Sequence, residues 1–165
     1  MPADAEALLE LRVRNRGFLE PREPQRDESW YTLAAQRSDI AAGVAAARDD
    51  RAYAFGIFDP ELVGRVALNA VVRGVFQNAY LGYFVDEASN GRGYATEAVR
   101  GAVGYAFGEA RLHRVQAAVM PRNGASVRVL EKAGFREEGF AERYLCINRV
   151  WEDHRLFAIT REESA

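Results

Sequence analysis

The chain has 165 residues, 48% of them hydrophobic, and its 22 basic and 24 acidic residues leave a formal net charge of −2. This suits a single domain, residues 1–165, with a sizeable core, and argues against a general nucleic-acid binder. One cysteine, Cys146, and two histidines, His113 and His154, exclude a disulfide framework and argue against a metal site. No apolar stretch has the length of a membrane span or follows a basic N-terminal segment, which places the chain in the cytoplasm without a membrane partner. All basic residues but Lys132 are arginines, which reads as the codon bias of a GC-rich, bacterial genome.

From the start, Asp4 is a candidate N-cap for a short helix with the apolar pattern Ala7, Leu8, Leu11 and Val13. Pro21 and Pro24 mark a loop, and helical periodicity returns from Ser29 to about Ala47, with Asp27 or Ser29 available as caps. Residues 52–58 and 62–72 are rich in Val, Ile, Phe and Tyr, and Asp59-Pro60-Glu61 between them predicts a hairpin. A strand over 79–85, a helix over about 94–109, a strand over 113–120 and a helix over 124–133 follow. The end reads as a hairpin of 135–147 with 153–160, turning through Asn148-Arg149-Val150-Trp151. Strands and helices in this order make an α/β fold with a mixed sheet.

Between strand and helix stands Asn90-Gly91-Arg92-Gly93-Tyr94-Ala95. Gly91 and Gly93 permit positive φ or close approach of a ligand, and the first N–H groups of the helix lack intrahelical partners. With Arg92 this makes a site for a phosphate or pyrophosphate. A plain strand-to-helix turn with two glycines is the competing reading. No G-K-[ST] follows, and Thr96 stands where a dinucleotide fingerprint needs glycine, so a different phosphate-bearing cofactor is favoured. Downstream, Met120-Pro121-Arg122-Asn123-Gly124-Ala125-Ser126 ends a strand and opens a helix, with Asn123 as N-cap and Ser126 in the first turn. These two either cap the helix against solvent or face a ligand channel opened where strands 79–85 and 113–120 diverge. Gly134 ends that helix.

The stretches G-Y-F-V-D-E-A-S-N-G-R-G-Y-A-T-E-A-V and P-R-N-G-A-S-V-R-V-L-E-K-A-G-F-R-E-E-G resemble the GNAT superfamily of N-acetyltransferases. The tail Y-L-C-I-N-R-V-W-E-D-H-R-L-F-A-I-T, with R-N-R-G-F-L-E-P and Y-T-L-A-A-Q, is similar to the RimJ/RimL-type branch, which acetylates N-terminal amines of ribosomal proteins. The resemblance covers essentially the whole chain. It implies a mixed, mostly antiparallel sheet flanked by helices and splayed at an acetyl-CoA site. The chain opens at Met1-Pro2-Ala3-Asp4 where the family places its first strand, so either this chain begins after that strand or the strand is absent, which would leave an exposed sheet edge.

The resemblance also implies acetyl-CoA as co-substrate, its pyrophosphate on the backbone from Gly91 to Ala95. Asn90 replaces the Gln or Arg that opens the family pattern, while Gly93 and Ala95 match. Backbone groups of Phe84 and Val85 are then expected to hold the pantetheine arm and thioester carbonyl, with Asn123 and Ser126 beside the pantetheine and sulfur. Several relatives carry a glutamate late in the strand before the Asn and a tyrosine in the next helix. Here those positions are Ala118 and Leu130, so that mechanism does not transfer.

At pH 7 deprotonating an N-terminal amine costs roughly 1 kcal/mol and a lysine roughly 4.6 kcal/mol, which favours an α-amine acceptor in a site without a strong base. The resulting scheme is direct attack in a ternary complex, with Ser126 assisting the departing thiolate and Glu142, ahead of Glu138, receiving the amine proton through water. Asp153 and His154 either line the substrate mouth or orient the hairpin, the second being favoured, and Tyr83 and Tyr144 are assigned to the core or rim rather than to acid catalysis. The expected partner is a protein N-terminus, such as that of a ribosomal protein, with a monomer or homodimer as the working state. A small-amine acetyltransferase and a CoA-binding regulator with weak catalysis are the alternatives.

Overall fold

The computed structural model describes residues 4–164. Helix α1 (Ala5–Arg14) starts after Asp4 and buries Ala5, Leu8, Leu11 and Arg12. Val13 is 53% exposed, contrary to the predicted stripe. It lies two positions past Leu11, and at 3.6 residues per turn that points away from the core. A single-turn helix α2 (Arg16–Leu19) follows.

Helix α3 (Leu33–Arg48) begins later than predicted, and neither Asp27 nor Ser29 caps it. Glu28–Tyr31 instead forms a 3-10 turn. Thr32 is the cap: its hydroxyl accepts from the Ala35 N–H at 3.3 Å and donates to the Ser29 carbonyl at 2.8 Å. A side-chain oxygen that accepts a first-turn N–H fixes where the helix starts.

Six strands form one sheet in the order β1-β2-β3-β4-β6-β5. They are β1 (Tyr53–Asp59), β2 (Glu61–Val72), β3 (Asn78–Val85), β4 (Arg114–Val119), β5 (Arg136–Ile147) and β6 (Val150–Thr160). Every neighbouring pair is antiparallel except β3–β4, because only β3 and β4 are joined through a crossing helix, α4 (Tyr94–Phe107). Strand β1 lies at the sheet edge, and among the described residues no strand precedes it. Met1, Pro2 and Ala3, which open the chain where the resemblance expects a strand, lie outside the described residues.

Alternation along β3 separates two apolar layers. Ala79, Leu81 and Tyr83 meet the main core, to which α4 contributes Val99, Ala102, Val103 and Ala106. Phe84 faces the opposite side, packing with Leu8, Leu11, Leu19, Leu62 and Ile40. Small residues on the α4 face let it lie close to the sheet, and the helix ends at Phe107, short of the predicted 109. Helix α5 (Gly124–Lys132) closes in a Schellman motif: Gly134, at φ +94, donates to the Glu131 carbonyl at 3.1 Å and Phe135 to Leu130 at 3.0 Å.

The final hairpin turns on Asn148 (φ +45) and Arg149 (φ +69) alone, so Val150 and Trp151, predicted as turn residues, belong to β6. Two consecutive positive φ values match the twist of the flanking strands, which makes this the tightest closure available. The Asn148 N–H is held by the Glu23 carbonyl at 3.2 Å, and the Arg149 guanidinium donates to Gln25.

Phe157 is 1% exposed among the main-core residues. Phe157→Ala is expected to lower the unfolding free energy by about 3–5 kcal/mol in urea titration, while Val13→Ala shifts it by less than about 0.5 kcal/mol.

Candidate active site

Strands β3 and β4 pair at only three positions, Asn78–Arg114, Ala79–Val115 and Tyr80–Gln116. Strand β3 nonetheless stays paired with β2 up to Val85–Gly64, and β4 with β6 up to Val119–Arg155. The two strands therefore part beyond Tyr80. The side of Leu81–Val85 that faces β4 has no ladder partner, so its backbone groups are available to a ligand. Phe84 and Val85 lie in that stretch, both buried.

The loop after β3 leads to the N-terminus of α4. Gly91 (φ +78) and Gly93 (φ +90) both lie in the left-handed region, and a Cβ at either would meet nothing within 4 Å. Their glycines answer a backbone requirement, not crowding. Gly93 is the N-cap of α4 and no side chain caps the helix, which leaves first-turn N–H groups, including those of Tyr94 and Ala95, directed at an open cradle. Asn90 is exposed and ends the preceding single turn. Arg92 reaches Asp59 at 3.5 Å, and the Tyr94 hydroxyl also donates to Asp59. An exposed ion pair of that length contributes well under about 1 kcal/mol and does not commit Arg92.

Helix α1 supports this loop from behind. Arg14 makes two hydrogen bonds to one Asp86 oxygen, at 2.9 and 2.6 Å. Asn15, buried, accepts the Glu87 N–H at 2.8 Å and donates to the Leu11 carbonyl at 2.9 Å. Burial pushes the Asp86 carboxyl up, but hydrogen bonds from Arg14, Asn15 and the Ala88 N–H outweigh it and hold the group below the usual carboxylate range.

Across the gap, Asn123 caps α5 by accepting the Ser126 N–H at 3.3 Å. The Tyr83 and Ser126 hydroxyls lie 2.6 Å apart, and Tyr83 is also 3.3 Å from the Ser126 carbonyl oxygen. Burial, partly offset by the bond to Ser126, pushes the Tyr83 hydroxyl up to about 12, so it remains protonated at neutral pH. Tyr83 thus packs as a core aromatic, as expected from sequence, yet carries a polar contact at the apex of the gap that the sequence reading missed. Leu130 is fully buried, and Ala118 pairs with Leu156 on β6. Neither offers a titrating group.

Glu142 is exposed on β5, within an irregularity between Ala141 and Leu145. Arg143 there has φ +48 and its N–H is fixed by Asp153 Oδ1 at 2.8 Å. His154 is 3% exposed, with Nδ1 2.9 Å from the Glu152 carbonyl oxygen and its ring 5.8 Å from that of Tyr144. Asp153 and His154 therefore orient the hairpin. Glu138 is bound by Arg114 and by Arg136 at 2.9 Å, and the Arg114 bond above all keeps its carboxyl below the usual range, which makes it a weak base. Ser126 is bonded to Tyr83 and Asn123, not to Glu142.

The hairpin and the N-terminal loop meet beside α5. Arg122 binds Glu152 at 2.7 Å and the Pro21 carbonyl at 3.3 Å, while Arg12 holds both Glu23 oxygens at 2.8 Å. The N-terminal loop and the hairpin thus meet at the start of α5, on the β4 side of the gap. The Tyr83–Ser126 contact spans 43 positions and the Arg14–Asp86 and Asn15–Glu87 contacts 72, so no local pattern announces them.

The unpaired edge of β3 and the uncapped α4 N-terminus fit an extended, phosphate-bearing donor, and the comparisons agree. The profile of the acetyltransferase (GNAT) domain matches residues 1–136. The chain is 49% identical over 159 residues to the probable N-acetyltransferase YjcK of Bacillus subtilis, covering 94% of this chain and 88% of that protein. It is 37% identical over 160 residues to the [ribosomal protein uS5]-alanine N-acetyltransferase of Escherichia coli, covering 95% and 82%. The structure of Mycobacterium smegmatis RimJ in complex with CoA-disulfide superimposes with a TM-score of 0.94 at 36% identity, covering 99% of this chain and 80% of that one. The chain belongs to the GNAT acetyltransferase family and is an acetyl-CoA-dependent N-acetyltransferase.

Proposed function

We propose that the acceptor is the N-terminal α-amine of a protein, of the ribosomal-protein alanine type. The observation that carries this reading is a gap whose apex holds two neutral hydroxyls, Tyr83 and Ser126, with Ala118 and Leu130 at the positions where other relatives keep a glutamate and a tyrosine. Such a site suits an amine whose deprotonation costs only about 1 kcal/mol at pH 7. Similarity to the Escherichia coli uS5-alanine enzyme supports the same choice. No helix among the described residues is long and apolar enough to cross a membrane.

Acetyl-CoA supplies an activated acetyl group: its carbon–sulfur bond is exchanged for a carbon–nitrogen bond, and the proton lost by the amine balances the one gained by the sulfur. Within this chain, the N–H groups from Gly91 to Ala95 bind phosphate oxygens, joined by Arg92, with Asn90 at the loop's entry. The free backbone edge that ends at Val85 holds the extended arm in strand fashion, with the neighbouring Phe84 carbonyl turned to β2, and Asn123 keeps the start of α5 beside it. Ser126 donates a hydrogen bond to the sulfur. Glu142, on the hairpin that flanks the gap, receives the amine proton through water.

Three outcomes test this. At pH 7, a peptide beginning with alanine is expected to exceed a peptide offering only a lysine side chain in kcat/KM by roughly 400-fold, from the difference in neutral amine alone, as read by CoA release. Small polyamines turning over faster than either would overturn the acceptor assignment. For the alanine peptide, kcat/KM should rise about tenfold per pH unit and level off near about 7.8, since deprotonation of the α-amine creates the nucleophile. Ser126→Ala is expected to lower kcat by about ten- to a hundredfold, and unchanged turnover removes the serine from the scheme.

A further inference from the structure

We propose that Tyr83 is a positioning residue for Ser126: its hydroxyl donates to Ser126 Oγ and thereby leaves the serine proton free for the sulfur of the acetyl donor. This rests on the role given to Ser126 above and adds a second group to it.

A serine hydroxyl has one proton and two acceptor sites, and nothing in the side chain itself decides where the proton points. Here two neighbours constrain the residue. The Ser126 N–H is held by Asn123 at 3.3 Å, which fixes the backbone of the first turn of α5. On β3, Tyr83 stands opposite Val66 of β2, its ring packed against the main core, and its oxygen lies 2.6 Å from Ser126 Oγ. Tyr83 has one proton and two acceptors within reach, Oγ at 2.6 Å and the Ser126 carbonyl at 3.3 Å. When the tyrosine donates to the carbonyl, the serine proton is spent on the tyrosine oxygen. When it donates to Oγ, that proton is released to any acceptor in the gap. A negative sulfur beside Ser126 selects the second arrangement, because a charged acceptor makes the stronger bond and linked donors polarise one another.

Tyr83 does not surrender its own proton in this scheme. Its hydroxyl is pushed up to about 12 by burial, whereas an ordinary thiol titrates near about 8.5. A thiolate is therefore a far weaker base than the tyrosinate, by more than three pH units, and complete proton transfer from Tyr83 to the sulfur is unfavourable by over about a thousandfold. The tyrosine acts only through the serine.

Tyr83→Phe removes one oxygen and keeps the ring. With folding checked by thermal melting, it is expected to lower kcat about tenfold while leaving KM for acetyl-CoA within about twofold, and to cause no further loss in Ser126→Ala. Binding gives an independent readout. By calorimetry at pH 9, Tyr83→Phe should weaken CoA about fivefold and leave desulfo-CoA, which lacks the sulfur, unchanged. Equal losses for both ligands, or additive losses in the double variant, overturn the proposal. If Ser126→Ala is impaired and Tyr83→Phe is not, the tyrosine role falls and the serine role stands. If Ser126→Ala matches the parent enzyme, both fall. Should Tyr83→Phe fold poorly, 3-fluorotyrosine at position 83 keeps the hydroxyl. Its fluorine resonance should then shift with CoA more than with desulfo-CoA, and lose that difference in Ser126→Ala; no difference in the parent protein overturns the proposal.

Discussion

Everything at the centre of this molecule depends on two parallel strands ceasing to pair halfway along. Three ladder positions hold β3 to β4; had the ladder continued, the backbone of Leu81–Val85 would be consumed and no gap would exist. Backbone polar groups released from a sheet need other partners, and a strand edge between two protein walls offers them to an extended ligand. The remaining parts serve that opening. Two glycines with positive φ turn the chain into α4 so that its uncapped end faces the same space, and Asn123 sets α5 on the far side. Tyr83 crosses the gap and ties β3 to α5 through its hydroxyl, which meets both Oγ and the carbonyl of Ser126.

Helix α1 connects the two approaches to this opening. Arg14 and Asn15 brace the donor loop, while Arg12, stacked 4.0 Å over the Phe84 ring, holds Glu23 in the loop that meets the β5–β6 turn. Asp86 is the most consequential of these contacts, because a largely buried carboxylate without its arginine is costly. A carboxyl held below its usual range stabilises the fold above the unfolded group's range near about 4. That stabilisation is lost as pH falls through the lower, folded value. Acid thus loosens the support of the donor loop through Asp86.

Much of this was legible in the sequence because it is written in local patterns. The stripe Val99, Ala102, Val103, Ala106 specified α4 by period, Asn123 and Gly134 bounded α5 by their chemistry, and the glycine pair marked the loop. Sequence and structure part where local signals compete. Asp27, Ser29 and Thr32 are all good caps, and only the 3-10 turn through Trp30 decides for Thr32. Val150 and Trp151 read as turn residues because a two-residue turn with arginine at a positive φ has no strong sequence signature; its supports, Glu23 and Gln25, are distant in the chain. The hydroxyl contact of Tyr83 was invisible for the same reason. A tyrosine in a strand reads as a core aromatic, and whether its oxygen finds a partner depends on how far the neighbouring strand has swung away.

The ion pairs that frame the site, Arg12–Glu23, Arg14–Asp86 and Arg122–Glu152, are all built from arginine. An enzyme that holds reactive thioesters exposes its own surface amines to the chemistry it performs, and acetylation would erase the charge of any lysine placed in such a pair. Guanidinium groups stay protonated throughout the working range and offer no free nitrogen lone pair for attack. With Lys132 as its only lysine, exposed at the end of α5, the protein presents a frame that its own donor cannot neutralise.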